Sequence, residues 1–124
     1  MVSVLPTMVA AIPLATAESF ERATEGQTIV FSNDGRVYGT EQYLRDRRVY
    51  WQVTPGECLW GEWYASAEGI CFLYEGNQSP VCWDISLQDG RMRAEILDDG
   101  PPFVLEEVSR SDAPLDCPGP DVGS

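Results

Sequence analysis

The feature that most constrains the fold is a series of short segments in which apolar and polar side chains alternate. Between Arg91 and Leu97, for example, Met92, Ala94 and Ile96 alternate with charged residues. A repeat of two residues is the side-chain period of a β-strand with one face in a core and the other face in water. The pattern therefore predicts strands that are buried on one side.

Eight segments carry this pattern or a short apolar run, and turn residues separate them. Two of the separators, Asn33-Asp34-Gly35 and Gln88-Asp89-Gly90, are typical of tight hairpins, because glycine tolerates a positive φ. Strands at nearly regular spacing predict an all-β fold, an antiparallel meander of about eight strands that forms a small barrel or a sandwich. The predicted strands are Thr28–Ser32, Arg36–Leu44, Arg48–Thr54, Leu59–Ala65, Ile70–Glu75, Val81–Leu87, Arg91–Leu97 and Phe103–Val108.

The two ends of the chain have a different character. The segment from Ser19 to Gly26 is predicted to be a short helix, with Ser19 as its N-cap and Gly26 as its stop. Residues 109–124 are rich in Pro, Gly and Asp and predict an irregular tail anchored by Cys117. The β domain with its N-terminal helix then covers residues 18–108.

Residues 1–17 have the composition of a signal peptide. They contain no charged side chain and end in Ala15-Thr16-Ala17, a pattern that fits signal peptidase, although an Arg or Lys near the start is absent. Pro6 and Pro13 and the short length argue against a helix that spans a membrane. The alternative is a buried apolar strand or helix of the folded domain. We favour a leader, and therefore a periplasmic or secreted protein with no membrane span in the mature chain.

Export would make the four cysteines a disulfide framework. They are Cys58, Cys71, Cys82 and Cys117, and no two have the Cys-x-x-Cys spacing of redox or zinc sites. Four cysteines allow three pairings. Cys71 and Cys82 each stand between two apolar residues and would face the same side of a hairpin, so we predict Cys71–Cys82, which leaves Cys58–Cys117.

The composition excludes several kinds of chemistry. The formal net charge is −12, and this repels nucleic acid and anionic lipid. The chain has no His, and all eight bases are Arg, so Ser-His-Asp catalysis, lysine Schiff bases and mixed Cys/His zinc sites are excluded. Asp98-Asp99 and Glu106-Glu107 are not in a calcium-loop pattern. We expect no cofactor and no metal.

Two short motifs resemble known families. Gly61-Glu62-Trp63-Tyr64 is similar to the G-x-W motif of lipocalin-like barrels, in which the Trp closes the barrel floor, although here the motif lies in mid-chain. Simple core packing of Trp63 beside a small residue is the alternative. The wider pattern C-L-x-G-x-W-Y, I-C-F-x-Y-E and C-W resembles small exported proteins of unknown function from Gram-negative bacteria. That resemblance implies a compact β domain with a disulfide and implies no activity.

Aromatic residues supply the candidate binding surface. Tyr43, Tyr50, Trp60 and Tyr64 are the possible binding residues; otherwise they cover the edges of the core. The basic cluster at residues 45–48 is either solvated or a docking point for an acidic group.

The sequence thus predicts a binding module rather than an enzyme, because it offers aromatic residues and no recognisable reaction centre. The partner is a protein or a small apolar ligand, and the oligomeric state is open. The alternatives are a protein like the periplasmic protease inhibitors, which are also small disulfide-bearing barrels, or a structural component of the envelope. A small enzyme that uses carboxylates is disfavoured, since no carboxylate pair stands out.

Overall fold

A computed structural model describes residues 10–53 and 56–117 as nine strands, one α-helix and one short 3₁₀ helix. The α-helix α1 is Ala17–Thr24 and the 3₁₀ helix is Arg45–Arg47. The strands are β1 Ile12–Pro13, β2 Thr28–Asn33, β3 Arg36–Tyr43, β4 Arg48–Val53, β5 Cys58–Ala65, β6 Ile70–Tyr74, β7 Val81–Gln88, β8 Arg91–Ile96 and β9 Val104–Ser111.

Strands β2 to β9 form a closed antiparallel barrel. Each pairs with the next along the chain, and β9 pairs back with β2. All eight predicted strands are confirmed with small shifts at their ends, except that Thr54, the predicted end of the third strand, lies outside the described residues. The choice between barrel and sandwich is settled as a barrel. Both predicted hairpin turns are also present, because Asp34, Gly35, Asp89 and Gly90 all have positive φ.

The alternating residues face the interior as the pattern predicted. Val49, Ile70 and Met92 are almost completely buried, whereas the adjacent residues Arg48 and Arg91 are exposed. The interior of the barrel is the apolar core, and no second sheet is needed to cover it.

Helix α1 lies at one end of the barrel, which we call the closed end. The helix begins one turn earlier than predicted. Thr16 is the N-cap, and its hydroxyl accepts a hydrogen bond from the backbone of Ser19, while the Ser19 hydroxyl accepts one from the backbone of Thr16. The prediction of Ser19 as N-cap is therefore wrong, because this reciprocal pair satisfies two free amide groups where a cap at Ser19 would satisfy one.

Residues at the end of the predicted leader belong to this folded region. β1 pairs with the second half of β7, and Leu14 is buried and donates its backbone N–H to Ile85. The predicted leader boundary after residue 17 stays a prediction, but a cut there would remove these contacts. Residues 1–9 lie outside the described part of the chain.

Phe20 connects α1 to the barrel. Its side chain is fully buried and packs edge-on against Tyr43, Trp63 and Phe72, with ring centroids 5.7, 4.8 and 6.1 Å away. Edge-to-face packing is a favoured geometry for aromatic pairs. Trp63 of the G-x-W motif thus lies at the closed end, in the core beneath the helix.

Two arginines fasten the same end. Arg47, from the basic cluster, lies over the Trp63 ring with its guanidinium carbon 5.2 Å from the centroid, and it pairs with Glu21 of α1 at 3.5 Å. Arg110 binds both carboxylate oxygens of Glu107 at 2.8 Å and donates to the Ala23 carbonyl at 2.8 Å. One member of the basic cluster at residues 45–48, Arg47, therefore packs against the barrel and the helix.

Both predicted disulfides are present. Cys71–Cys82 joins directly opposed residues of β6 and β7 on the outer face of the barrel. Cys58–Cys117 holds the chain after β9, residues 112–117, which we call the C-terminal strap. The Leu115 backbone N–H donates to the Gln42 side chain at 3.0 Å, so the strap crosses from β3 to β5 on the outer surface. Residues 118–124 of the predicted tail lie outside the described range.

No helix in residues 10–53 and 56–117 has the length and apolar character required to cross a bilayer.

Removing the Phe20 ring should strongly destabilise the protein. Phe20→Ala leaves a cavity among three aromatic side chains, so we expect a loss of about 3–5 kcal/mol in the free energy of unfolding. Chemical denaturation followed by tryptophan fluorescence measures it. Arg22→Ala, an exposed position on the same helix, is the matched control and should change stability by less than about 0.5 kcal/mol. Equal losses in both variants would contradict the role of Phe20.

Candidate functional site

The interior of the barrel is not completely filled. A cavity of about 430 Å³ runs along its axis and is lined mainly by aromatic and aliphatic side chains. An eight-stranded barrel is just wide enough either to be packed by its own side chains or to hold one small ligand. A volume of this size lies within the usual range for small-molecule sites.

The cavity is closed by α1 at one end and reaches the loops at the other, which we call the open end. Its deep wall includes Tyr43 and Phe72, the residues that pack against Phe20. Exposed residues of the β6–β7 and β8–β9 loops, Asn77, Asp98 and Pro101, line the other end. The cavity is therefore accessible from one side of the barrel.

Four aromatic residues surround the open end. Phe103 lies before β9 and packs against Tyr38 at 5.1 Å and Trp83 at 6.2 Å between centroids, and Tyr38 contacts Trp51 at 6.1 Å. All four line the cavity. Aromatic rings therefore form part of the cavity wall toward this end.

One carboxylate stands in this apolar interior. Glu41 is 4% exposed and lies two residues before Tyr43 on β3, so it faces the cavity between the deep wall and the open end. The Tyr74 hydroxyl on β6 donates to it, at 3.1 and 3.0 Å from the two carboxylate oxygens. Since β3 and β6 are separated by two strands, this hydrogen bond crosses the interior of the barrel.

Burial controls the ionisation of these groups. It raises the pKa of the Glu41 carboxyl well above its ordinary value, and the hydrogen bond from Tyr74 opposes this shift. Burial, and next the charge of Glu41, raise the pKa of both Tyr43 and Tyr74 well above the ordinary value of a phenol. The two tyrosines therefore stay neutral at physiological pH.

Two glycines make room for the cavity aromatics. A Cβ atom at Gly61 would lie 2.7 Å from the Tyr74 ring, and one at Gly39 would lie 2.5 Å from the Trp51 ring. Each ring therefore rests against the backbone of a neighbouring strand, where no side chain intervenes. Gly61 is the glycine of the G-x-W motif.

The charged groups on the cavity wall are all acidic. Glu41 lies in the interior and Asp98 at the open end, and no arginine of residues 10–53 and 56–117 lines the cavity. Within the described residues, no cluster of three or more potential metal ligands is found. The arrangement offers apolar contact, hydrogen bonding and negative charge.

The structure separates the four residues nominated from the sequence. Tyr43 lines the cavity, but Tyr50, Trp60 and Tyr64 lie on the outer face of β4 and β5. Tyr50 and Trp60 are paired across these strands and half-buried, and Tyr64 is 44% exposed. They do not form one site with Tyr43.

Sequence reasoning did not nominate Glu41, Trp51, Tyr74 or Trp83 as binding residues. A signal for Glu41 existed, because it alternates with Gly39 and Tyr43 on β3 and so shares the inner face with them. No sequence signal indicated that Tyr74 reaches Glu41, since their contact depends on barrel closure.

Fold and site together define a closed antiparallel barrel with one end plugged by a helix and an aromatic cavity that contains a buried acid. No family model matches the chain, and neither a curated protein nor a solved structure matches it. The geometry of the chain itself is therefore the basis on which a function can be inferred.

Replacing Glu41 should change how stability depends on pH. In the unfolded chain this carboxyl ionises at an ordinary pKa, about 4.3, whereas in the folded protein its pKa is raised. Its contribution is fully present below the unfolded pKa and is lost as pH rises toward the folded pKa. Glu41→Gln removes this loss, so the unfolding free energy of the variant should fall less than that of the parent protein as the pH rises above the unfolded pKa.

Denaturant titrations across this pH range test the prediction. Glu106→Gln, an exposed position on β9, removes the same charge and should leave the pH profile close to that of the parent protein. Parallel profiles for the parent protein and Glu41→Gln would show that the Glu41 carboxyl titrates alike in both states.

Proposed function

We propose that the protein is a binding module that takes a small, mainly apolar ligand into the barrel through its open end. The observation that carries the proposal is the aromatic cavity of about 430 Å³. Most barrels of this size fill their interior with side chains or use it to hold a ligand. Here a helix and Phe20 fill only one end.

A small residue in the cavity wall, Ala94, supports this proposal. Ala94 on β8 faces the interior between Ile85 of β7 and Leu105 of β9, and all three line the cavity. A larger side chain at Ala94 would fill part of the space, so the volume depends on a small residue between two large ones.

A binding role fits the site better than catalysis. General acid–base chemistry in an apolar pocket is commonly performed by two convergent groups of different pKa. The cavity has one buried carboxylate, Glu41, and its hydrogen-bond partner Tyr74 is a phenol whose pKa is raised by burial. This pair can fix a polar group of a ligand, so we propose that the protein is not an enzyme.

An uncharged fluorescent probe tests the cavity. N-phenyl-1-naphthylamine should gain fluorescence when it is titrated into the protein, because it enters an apolar environment. Ala94→Trp occupies the cavity and should weaken this binding by at least about tenfold, which corresponds to ~1.4 kcal/mol. Fluorescence titration gives both affinities, and circular dichroism verifies that each variant is folded.

The matched control is Val108→Trp, which adds the same side chain at a position on β9 that is 47% exposed. It should bind the probe with the affinity of the parent protein. The proposed function fails when the parent protein does not bind the probe, or when Ala94→Trp binds it as well as Val108→Trp does.

We also propose that the protein is exported to the periplasm or secreted. Two disulfides and no membrane-crossing helix in the described residues are compatible with such a location. The contacts of β1, Leu14 and Thr16 favour a mature chain that keeps these residues, with a leader removed upstream of them.

Expression of the full chain in a Gram-negative host tests the export proposal. We expect the protein in the periplasmic fraction, with no thiol that reacts before reduction and four that react after it. Mass spectrometry then gives the N-terminus, which should precede Ile12. Four reactive thiols in the unreduced protein, or retention in the cytoplasm, would contradict export.

A further inference from the structure

We propose that the ligand of this cavity carries a protonated amine on an apolar body, and that the ammonium group binds Glu41 between the aromatic walls. This inference rests on the proposed function, and it adds the chemical class of the ligand. The charges of the cavity wall, the unused hydrogen-bonding capacity of Glu41 and the aromatic rings near it support this ligand class.

The first step concerns charge. Glu41 and Asp98 are the acidic residues of the cavity wall among the described residues, so an anionic ligand would meet no positive charge there and would oppose the ionisation of Glu41. Arg110 lies close enough to act on the pKa of Tyr43, but its donors already bind Glu107 and the Ala23 carbonyl. Within the described residues no arginine lines the cavity, so its wall offers no base to receive a carboxylate or a phosphate.

The second step concerns Glu41. A buried carboxylate is costly unless an opposite charge or several hydrogen bonds compensate it. Across the described residues, no arginine forms an ion pair with Glu41, and a single phenol, Tyr74, is shared by its two oxygens. A carboxylate has about four acceptor positions. The remaining positions can accept N–H groups from a ligand, and a cationic ligand would also supply the missing charge.

The third step concerns the rings near Glu41. Trp51 is opposite Glu41 in the β3–β4 pairing, Tyr43 is two residues away on the same strand, and Tyr74 is hydrogen-bonded to it. All three line the cavity. Aromatic faces attract an organic cation, most strongly where water is excluded. The same site therefore offers a counter-ion and aromatic surfaces to one ammonium group.

Binding of this kind is coupled to proton release. Burial keeps the Glu41 pKa high in the free protein, and an ammonium group favours the ionised form, so the ligand expels the proton. The groups that face Glu41 are Tyr43 and Tyr74, both neutral, with Tyr38 and Asp98 toward the open end and the Arg110–Glu107 pair near Tyr43. Affinity for an amine should therefore rise with pH until the amine itself loses its charge.

Three probes that differ in one group test the inference: 4-phenylbutylamine, 4-phenylbutanol and 4-phenylbutyrate. They share an apolar body and are a cation, a neutral molecule and an anion at pH 7–8. Isothermal titration calorimetry of the full chain should give at least about tenfold tighter binding of the amine than of the alcohol, since the amine forms a charge-assisted contact, and the weakest binding for the acid.

Two variants assign the preference to Glu41. In Glu41→Gln the amine should bind no better than the alcohol, and its affinity should no longer rise with pH below the pKa of the amine. Glu106→Gln carries the same change in net charge at an exposed position and should keep the full preference. Titration in buffers of different ionisation enthalpy should show that protons are released when the parent protein binds the amine, and that Glu41→Gln releases none.

The outcomes separate the two proposals. If the alcohol binds the parent protein as tightly as the amine, or Glu41→Gln retains the preference for the amine, the inference about charge is overturned while a cavity that binds neutral ligands remains. If the parent protein does not bind N-phenyl-1-naphthylamine, the proposed function fails, and the ligand class fails with it.

Discussion

The structure depends on the difference in packing between the two ends of the barrel. An eight-stranded ring has an interior of nearly fixed width, and the apolar side chains that enter it must exclude water to stabilise the fold. Phe20 does this at the closed end, where it joins three aromatic side chains of the barrel in one cluster. Because the helix supplies this packing, the strands can leave a cavity in the interior toward the open end. The packing at the closed end thus offsets the contacts that the cavity at the other end leaves unmade.

The buried acid fits this division of the molecule. Glu41 lines the cavity, farther toward the open end than the aromatic cluster around Phe20. Its only side-chain hydrogen-bond partner in the described structure is Tyr74. A protein selected for stability alone would place an apolar residue there, since a buried carboxyl without an opposite charge weakens the fold at high pH. Functional sites commonly retain such locally unfavourable residues. This is the main reason for relating Glu41 to a ligand rather than to folding.

Much of the fold could be predicted from the sequence, because alternation and turn chemistry are local properties. The turns at Asp34-Gly35 and Asp89-Gly90 and the faces of Cys71 and Cys82 required only neighbouring residues to interpret. The site was less accessible. The aromatic residues were nominated by residue type, and three of the four, Tyr50, Trp60 and Tyr64, lie on the outer face of the barrel. The pairing of Glu41 with Tyr74 could not be predicted, because it joins strands that are distant in the sequence and meet only across the closed ring.

The glycines at positions 39 and 61 have a consequence for how such a protein can diversify. Trp51 and Tyr74 lie back against these positions, where even a methyl group would collide with a ring and with a backbone carbonyl oxygen of the adjacent strand. The width of the cavity therefore depends on two positions in the barrel wall, Gly39 and Gly61, that carry no side chain. Many residues that line the cavity could be exchanged to suit other ligands. A larger residue at either glycine would instead push a ring into the cavity and narrow it for every ligand.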